Sequence, residues 1–119
     1  MNYIPISERT FNFAVRIIKL CSFLEEKPGV SRTLSQQLLR AATSIGANTA
    51  EAKSGQSRRD FLNKLEIALK EARETKYWLR LLVAAEIVAR QRLKTLLEEI
   101  EEIIKILVSI TKKVKEKPS

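Results

Sequence analysis

The chain has 119 residues, a formal net charge of +8, 45% hydrophobic and 30% charged residues, one Cys and no His. That length suits one domain (1–119) whose core buries roughly two-thirds of the unfolded surface. Without His there is no Ser-His-Asp or Cys-His couple, no Cys/His zinc cluster and no Glu-x-x-His di-iron site, and Gly29, Gly46 and Gly55 stand too far apart for a phosphate-cradling loop. The expectation is therefore a protein that is not an enzyme, with no catalytic residues, no metal and no cofactor. The longest uncharged stretch, residues 41–50, is far short of the about 17–25 apolar residues of a membrane span. The N-terminus has no basic lead-in, and Arg16 and Lys19 interrupt the apolar run behind it, so no secretory signal is expected. A lone Cys21 suits a reducing cytoplasm.

Four helices follow in chain order. Ser7-Glu8 opens a first helix over 7–27, which Pro28-Gly29 ends. Ser31 caps a second over 31–53, before Ser54-Gly55-Gln56. Ser57 with Asp60 resembles a capping box for a third, 57–85. The fourth covers 89–115, with Pro118 beyond it. Residues 84–89 contain neither Gly nor Pro, so a continuous helix through that boundary stays open.

Steps of four and three mark the seams. Helix 2 reads Leu34, Leu38, Ala41, Ile45, Asn48, Ala52; helix 3 reads Phe61, Leu65, Ala68, Ala72, Thr75, Leu79, Leu82; helix 4 reads Leu93, Leu97, Ile100, Ile104, Leu107, Thr111, Val114. Such a/d lines pack near +20°, and short loops join antiparallel neighbours. The fold class is all-α, an antiparallel up-down-up-down four-helix bundle. Helix 1 carries two apolar lines, Phe11-Ala14-Ile18-Cys21 and Phe13-Ile17-Leu20-Leu24, and helix 4 adds Leu96, Ile103, Ile106 and Ile110 beside its seam. The surplus is either a wide core-facing stripe or a second face against another subunit.

Folding the chain this way concentrates its charge. One end collects Lys27, Arg32, Lys76, Arg80, Arg90, Arg92 and Lys94 against Glu25, Glu26 and Glu86, a surplus of +4. The other collects Arg9, Lys53, Arg58, Arg59, Lys112, Lys113, Lys115 and Lys117 against Glu8, Glu51, Asp60 and Glu116, again +4. The waist balances. Arg58 and Arg59 open helix 3, and Arg90, Arg92 and Lys94 open helix 4, where the macrodipole favours acids by about 0.3–1 kcal/mol per charge. Basic residues at helix starts suit an anionic partner such as RNA or DNA; solubility or docking of a protein partner is the other reading. If nucleic acid binds, Arg58, Arg59, Arg90, Arg92, Lys94, Lys112, Lys113 and Lys115 are the residues expected to carry it. With few aromatics and no RNA-recognition motif or zinc knuckle, such binding would be weakly sequence-selective and steeply salt-dependent.

The remaining polar residues read as structural. Glu98, Glu99, Glu101 and Glu102 form a solvated face with i,i+4 partners Lys94 and Lys105. Asn48 fixes register or satisfies a neighbouring backbone group, and Arg40 falls near Glu71 or Glu74 across the helix 2–3 turn. Tyr77 and Trp78 read as core or subunit contact before they read as a stacking surface for bases, and Cys21 as a buried thiol.

Taken in order, Val30-Ser31-Arg32-Thr33-Leu34, Gln37-Leu38-Leu39-Arg40-Ala41-Ala42, Ser44-Ile45-Gly46-Ala47-Asn48, Glu51-Ala52, Ala68-Leu69-Lys70-Glu71-Ala72-Arg73-Glu74-Thr75 and Tyr77-Trp78-Leu79 resemble the bacterial family of 23S rRNA intervening-sequence proteins over nearly the whole chain. Many members carry Pro where this chain has Gly46 and Gly where it has Ala52. The resemblance implies a four-helix bundle encoded within or apart from ribosomal RNA insertions, not known as an enzyme, that assembles into a ring-like homopentamer. Such proteins are similar to the accessory variability determinant of diversity-generating retroelements, a basic pentamer that binds nucleic acid and a reverse transcriptase. Asn48, Glu51, Glu71 and Tyr77 match the family's polar positions.

Overall fold

The computed structural model describes residues 4–54 and 57–117, and these form α1 (Ile6–Leu24), α2 (Val30–Lys53), α3 (Arg58–Ala84) and α4 (Arg90–Glu116). Gly55 and Gln56 of the expected turn, and Pro118, lie outside the described residues. The helices run up, down, up and down as an antiparallel four-helix bundle 50 × 28 × 21 Å in extent. Each packs against its chain neighbours, α4 closes back on α1, and no strand occurs among the described residues.

The seams form the core: Leu38, Ala41, Ile45, Leu65, Ala68, Leu79, Leu82, Leu93, Ile100 and Leu107 are fully buried, with Leu34, Asn48, Leu97 and Ile104 half-buried at its edge. A second line on α2, Ser35-Ala42-Gly46-Thr49, is made of small residues and faces α1. A Cβ placed on Gly46 would lie 3.5 Å from the Thr10 carbonyl oxygen, so the two backbones nearly touch. Thr10 Oγ1 and Thr49 Oγ1 share a buried hydrogen bond of 2.9 Å there. Three turns away Ser35 Oγ donates to the Cys21 carbonyl, and the Cys21 thiol donates to the Ser35 carbonyl. Burial pushes the Cys21 thiol pKa up.

Two boundaries depart from expectation and two follow it. α1 stops at Leu24 rather than residue 27, because Glu26 and Lys27 bond the carbonyls three residues back and tighten the chain into a 3-10 turn. Ser31 is not the cap of α2. That position belongs to Gly29, whose φ of +92° only glycine adopts freely, while Ser31 Oγ reaches back 3.0 Å to the Leu24 carbonyl at the end of α1. Ser57 does cap α3, accepting the Asp60 N–H at 3.1 Å. The helix does not continue through 84–89. Glu86 takes φ +59°, its N–H bonds Val83 O, and the Ile87 N–H bonds Leu82 O. That 5→2 and 6→1 pair is a Schellman ending with Glu in the place Gly usually fills.

The α1–α4 seam is polar. Arg9 forks onto both oxygens of Glu99 at 2.7 and 3.0 Å, Arg16 donates to Thr95 Oγ1 at 2.6 Å, and the Arg92 guanidinium lies 4.6 Å from the Phe23 ring centroid. From Phe23–Arg92 to Arg9–Glu99, α1 advances 14 residues and α4 only 7, so long side chains bridge an oblique crossing. Arg9, counted above with the second end, is thereby neutralised by a waist carboxylate. No helix among the described residues is long and apolar enough to cross a membrane.

Candidate nucleic-acid interface

An α-helix turns 100° per residue, so residues two apart point about 200° from one another. The start of α4 shows the consequence. Arg92 turns toward α1 and stacks on Phe23, whereas Arg90 and Lys94 turn away from it and line an open groove of about 640 Å³ with Gln91, Leu97 and Glu98 of the same helix. The expected trio Arg90, Arg92 and Lys94 is therefore split, and Arg92 does not join the other two. Arg90 also lines a second groove, about 430 Å³, with Lys76, Tyr77 and Arg80 of α3. These three are the residues sequence reasoning left out of the site. Their signal was present: positions 73, 76, 77, 80 and 84 are i, i+3, i+4 neighbours on one outer face of α3.

At the opposite end the fold joins what the sequence separates. Arg58 and Arg59, from the first turn of α3, share a groove of about 660 Å³ with Val114 and Lys115 of α4. Lys115 is held by Glu66 at 2.8 Å, and Arg58 is also engaged. Lys112 and Lys113 are exposed on the neighbouring turn. Among the described residues, Arg59, Arg80, Arg90, Lys94, Lys112 and Lys113 make no ion pair, so their charges face solvent.

In the waist acids and bases balance in number, and several of them pair between helices. Arg40 of α2 bonds Glu71 at 3.1 Å and also Glu74, and Glu74 accepts the Trp78 Nε1–H at 3.1 Å. Glu51 pairs with Lys64 at 3.0 Å, and Asn48 donates to the Ser44 carbonyl one turn back. The acidic run on α4 finds partners other than those its spacing suggested: Glu101 takes Lys76 across the groove at 2.6 Å, and Lys105 leans to Glu102. The Lys76 hydrogen bond lowers the Glu101 pKa. Trp78 is half-buried and Tyr77 is 54% exposed, with ring centroids 5.3 Å apart in an edge-on contact. Tyr77 is thus not part of the core.

Residues 4–109 match the family model of the 23S rRNA-intervening sequence protein. The chain belongs to that family. The intervening-sequence fold is also seen in a crystal structure of a protein of unknown function from the S23 ribosomal protein family of Bacteroides thetaiotaomicron. That protein is 46% identical, aligns over 91% of this chain and 99% of its own, and superposes with a TM-score of 0.84. Comparison with curated proteins gives no match. Every basic residue of the two end grooves except Lys115 falls inside the matched segment, and Lys112 and Lys113 lie just beyond it.

Proposed function

We propose that this intervening-sequence protein is a non-catalytic, cytoplasmic, homo-oligomeric nucleic-acid-binding protein. It holds structured RNA or RNA/DNA through phosphate contacts at its basic ends. The observation that carries the reading is the excess of cations at the ends: acids and bases balance in number in the waist, while Arg59, Arg80, Arg90, Lys94, Lys112 and Lys113 stand near the two ends and make no ion pair among the described residues. Phosphates neutralised by such residues release counterions, which gives affinity without sequence readout.

A homopentamer is the proposed assembly. It is supported by an apolar stripe on α1, where Phe11 (66% exposed), Val15 and Ile18 follow at i, i+4 and i+7 outside the core. The line Phe11-Ala14-Ile18-Cys21 therefore divides: Cys21 is buried, Ala14 half-buried, and Phe11 and Ile18 are open. Repeating each basic end around a ring multiplies weak contacts into useful avidity. The same stripe favours a second reading, a docking scaffold or accessory subunit for a partner such as a reverse transcriptase, as in diversity-generating retroelements.

Light scattering on the purified chain tests the assembly, and a 13.6 kDa monomer at tens of micromolar overturns it. Binding to RNA and DNA of mixed sequence tests the function. Gln at Arg59, Arg90, Lys94, Lys112 and Lys113 should weaken all ligands alike and leave the oligomer intact. If the unmodified protein ignores both nucleic acids at about 50 mM salt, where phosphate contacts are strong, the docking scaffold replaces this reading.

A further inference from the structure

The groove between α3 and α4 near the first end combines features that phosphate binding alone does not require. Its floor is apolar, built from Leu81, Val83 and Leu97, and its rim carries Tyr77, Arg80 and Arg90. Lys76 on the same rim is already paired with Glu101, which leaves Arg80 and Arg90 as two uncompensated cations beside an aromatic ring. A volume of about 430 Å³ falls in the lower part of the about 300–1,000 Å³ range of small-ligand clefts.

Tyr77 is both exposed and held. Its ring meets Trp78 edge-on at 69°, Trp78 is pinned through Nε1 to Glu74, and Glu74 is gripped by Arg40 from α2. A chain of contacts running across two helices thus fixes the orientation of a half-exposed aromatic that contributes nothing to the core. Pre-organising a ring in this way lowers the ordering cost of whatever stacks on it.

We propose that this groove seats one unstacked nucleotide of a single-stranded nucleic acid, with its base on Tyr77 and its phosphate between Arg80 and Arg90. The proposal rests on the nucleic-acid reading above and deepens it. Two free arginines beside a fixed aromatic match a ligand that carries a flat π-face and an anion about one residue apart, which is the repeat of a single strand. A duplex presents the anion without a free base face, so it uses the arginines alone. The ligand is identified by that shared chemistry, whether the sugar is ribose or deoxyribose.

The test uses the full chain and the fluorescence of Trp78, the one Trp in the sequence, which touches Tyr77. Oligouridine and oligothymidine of about 12 nucleotides, the same strands with abasic sites, and a duplex of equal length serve as probes. Single strands should quench Trp78, and Tyr77→Ala should weaken them by about 5- to 150-fold, the range for one lost base–aromatic stack. Tyr77→Phe should keep the affinity, and neither the duplex nor the abasic strands should respond to Tyr77→Ala. A difference between the uridine and thymidine arms would assign the sugar. If the wild type binds single strands and Tyr77→Ala binds them equally well, the seat is refuted while the phosphate-binding function stands. If the wild type binds none of the probes, both fall.

Discussion

Glu86 should hold the chain in a conformation it would not choose. At φ +59° an L-residue brings its Cβ close to the following carbonyl, at a cost of about 1–2 kcal/mol. Glycine escapes that clash but loses about 0.5–1 kcal/mol more backbone entropy on folding. The Schellman bonds from Glu86 to Val83 and from Ile87 to Leu82 are made by the backbone and survive the change, and Ile87 keeps its packing on the core. Glu86→Gly should therefore stabilise the fold by about 0.5–1 kcal/mol. A carboxylate at the C-terminal end of α3 also opposes the helix dipole, so part of any gain is electrostatic. Glu86→Gln isolates that part, since it removes the charge and keeps the strained φ. For a chain of 119 residues, about 1 kcal/mol corresponds to roughly 4 °C in Tm. Thermal and urea unfolding followed by helical circular dichroism, at one protein concentration for all variants, gives the comparison. Gly should exceed Gln, and Gln should equal or slightly exceed Glu. A glycine variant no more stable than the glutamine variant would refute the strain argument.

Three other outcomes follow from the packing. Thr10→Val and Thr49→Val should each cost about 1 kcal/mol, and the double variant should cost less than their sum, because the bond the two hydroxyls share is lost only once while each also bonds a carbonyl of its own helix; additive costs in a urea double-mutant cycle would contradict the shared bond. Gly46→Ala should stabilise α2 by about 0.5–1 kcal/mol, since the new methyl meets Thr10 at an ordinary 3.5 Å, whereas Gly46→Leu should force α1 away and lower Tm sharply. The Glu101 pKa is lowered by its hydrogen bond to Lys76, so the folded carboxylate binds its proton less readily than the unfolded one. The stability this contributes is complete above the unfolded value of about 4.3 and is lost as pH falls through the lowered folded value. Carboxyl-carbon NMR should show Glu101 titrating below the ordinary range in the native chain and returning to it in Lys76→Met; an unchanged titration would show that the pair does not persist in solution.

The bundle was legible because its main seams are apolar and regular, as on α3 from Leu65 to Leu82. What escaped was small or polar. Ser35, Thr10 and Thr49 are fully or almost fully buried, but a search for large apolar side chains passes over them. They occupy the core because two backbones approach closely at Gly46, leaving room only for small groups that satisfy one another. The break after Ala84 was expected at that place but without a glycine to mark it, because glutamate supplies its left-handed residue. Of the candidate interface, the polarity of the two ends could be read from the chain, but its composition could not. Arg90 and Arg92 look like one cluster on paper and point to opposite sides of α4, and Lys76, Tyr77 and Arg80 joined the site only when α3 was laid beside α4.

The salt dependence of nucleic-acid binding tests the central claim most directly. The affinity of the unmodified protein for duplex and single-stranded ligands should fall linearly on a log–log plot against salt, with a slope of about −0.9 per phosphate contact on duplex DNA and about −0.7 on single strands. Gln at Arg59, Arg90, Lys94, Lys112 and Lys113 should flatten that slope by about the same amount for each contact removed, for every sequence tried. An affinity that ignores salt, or a slope that survives loss of both basic ends, would contradict the account.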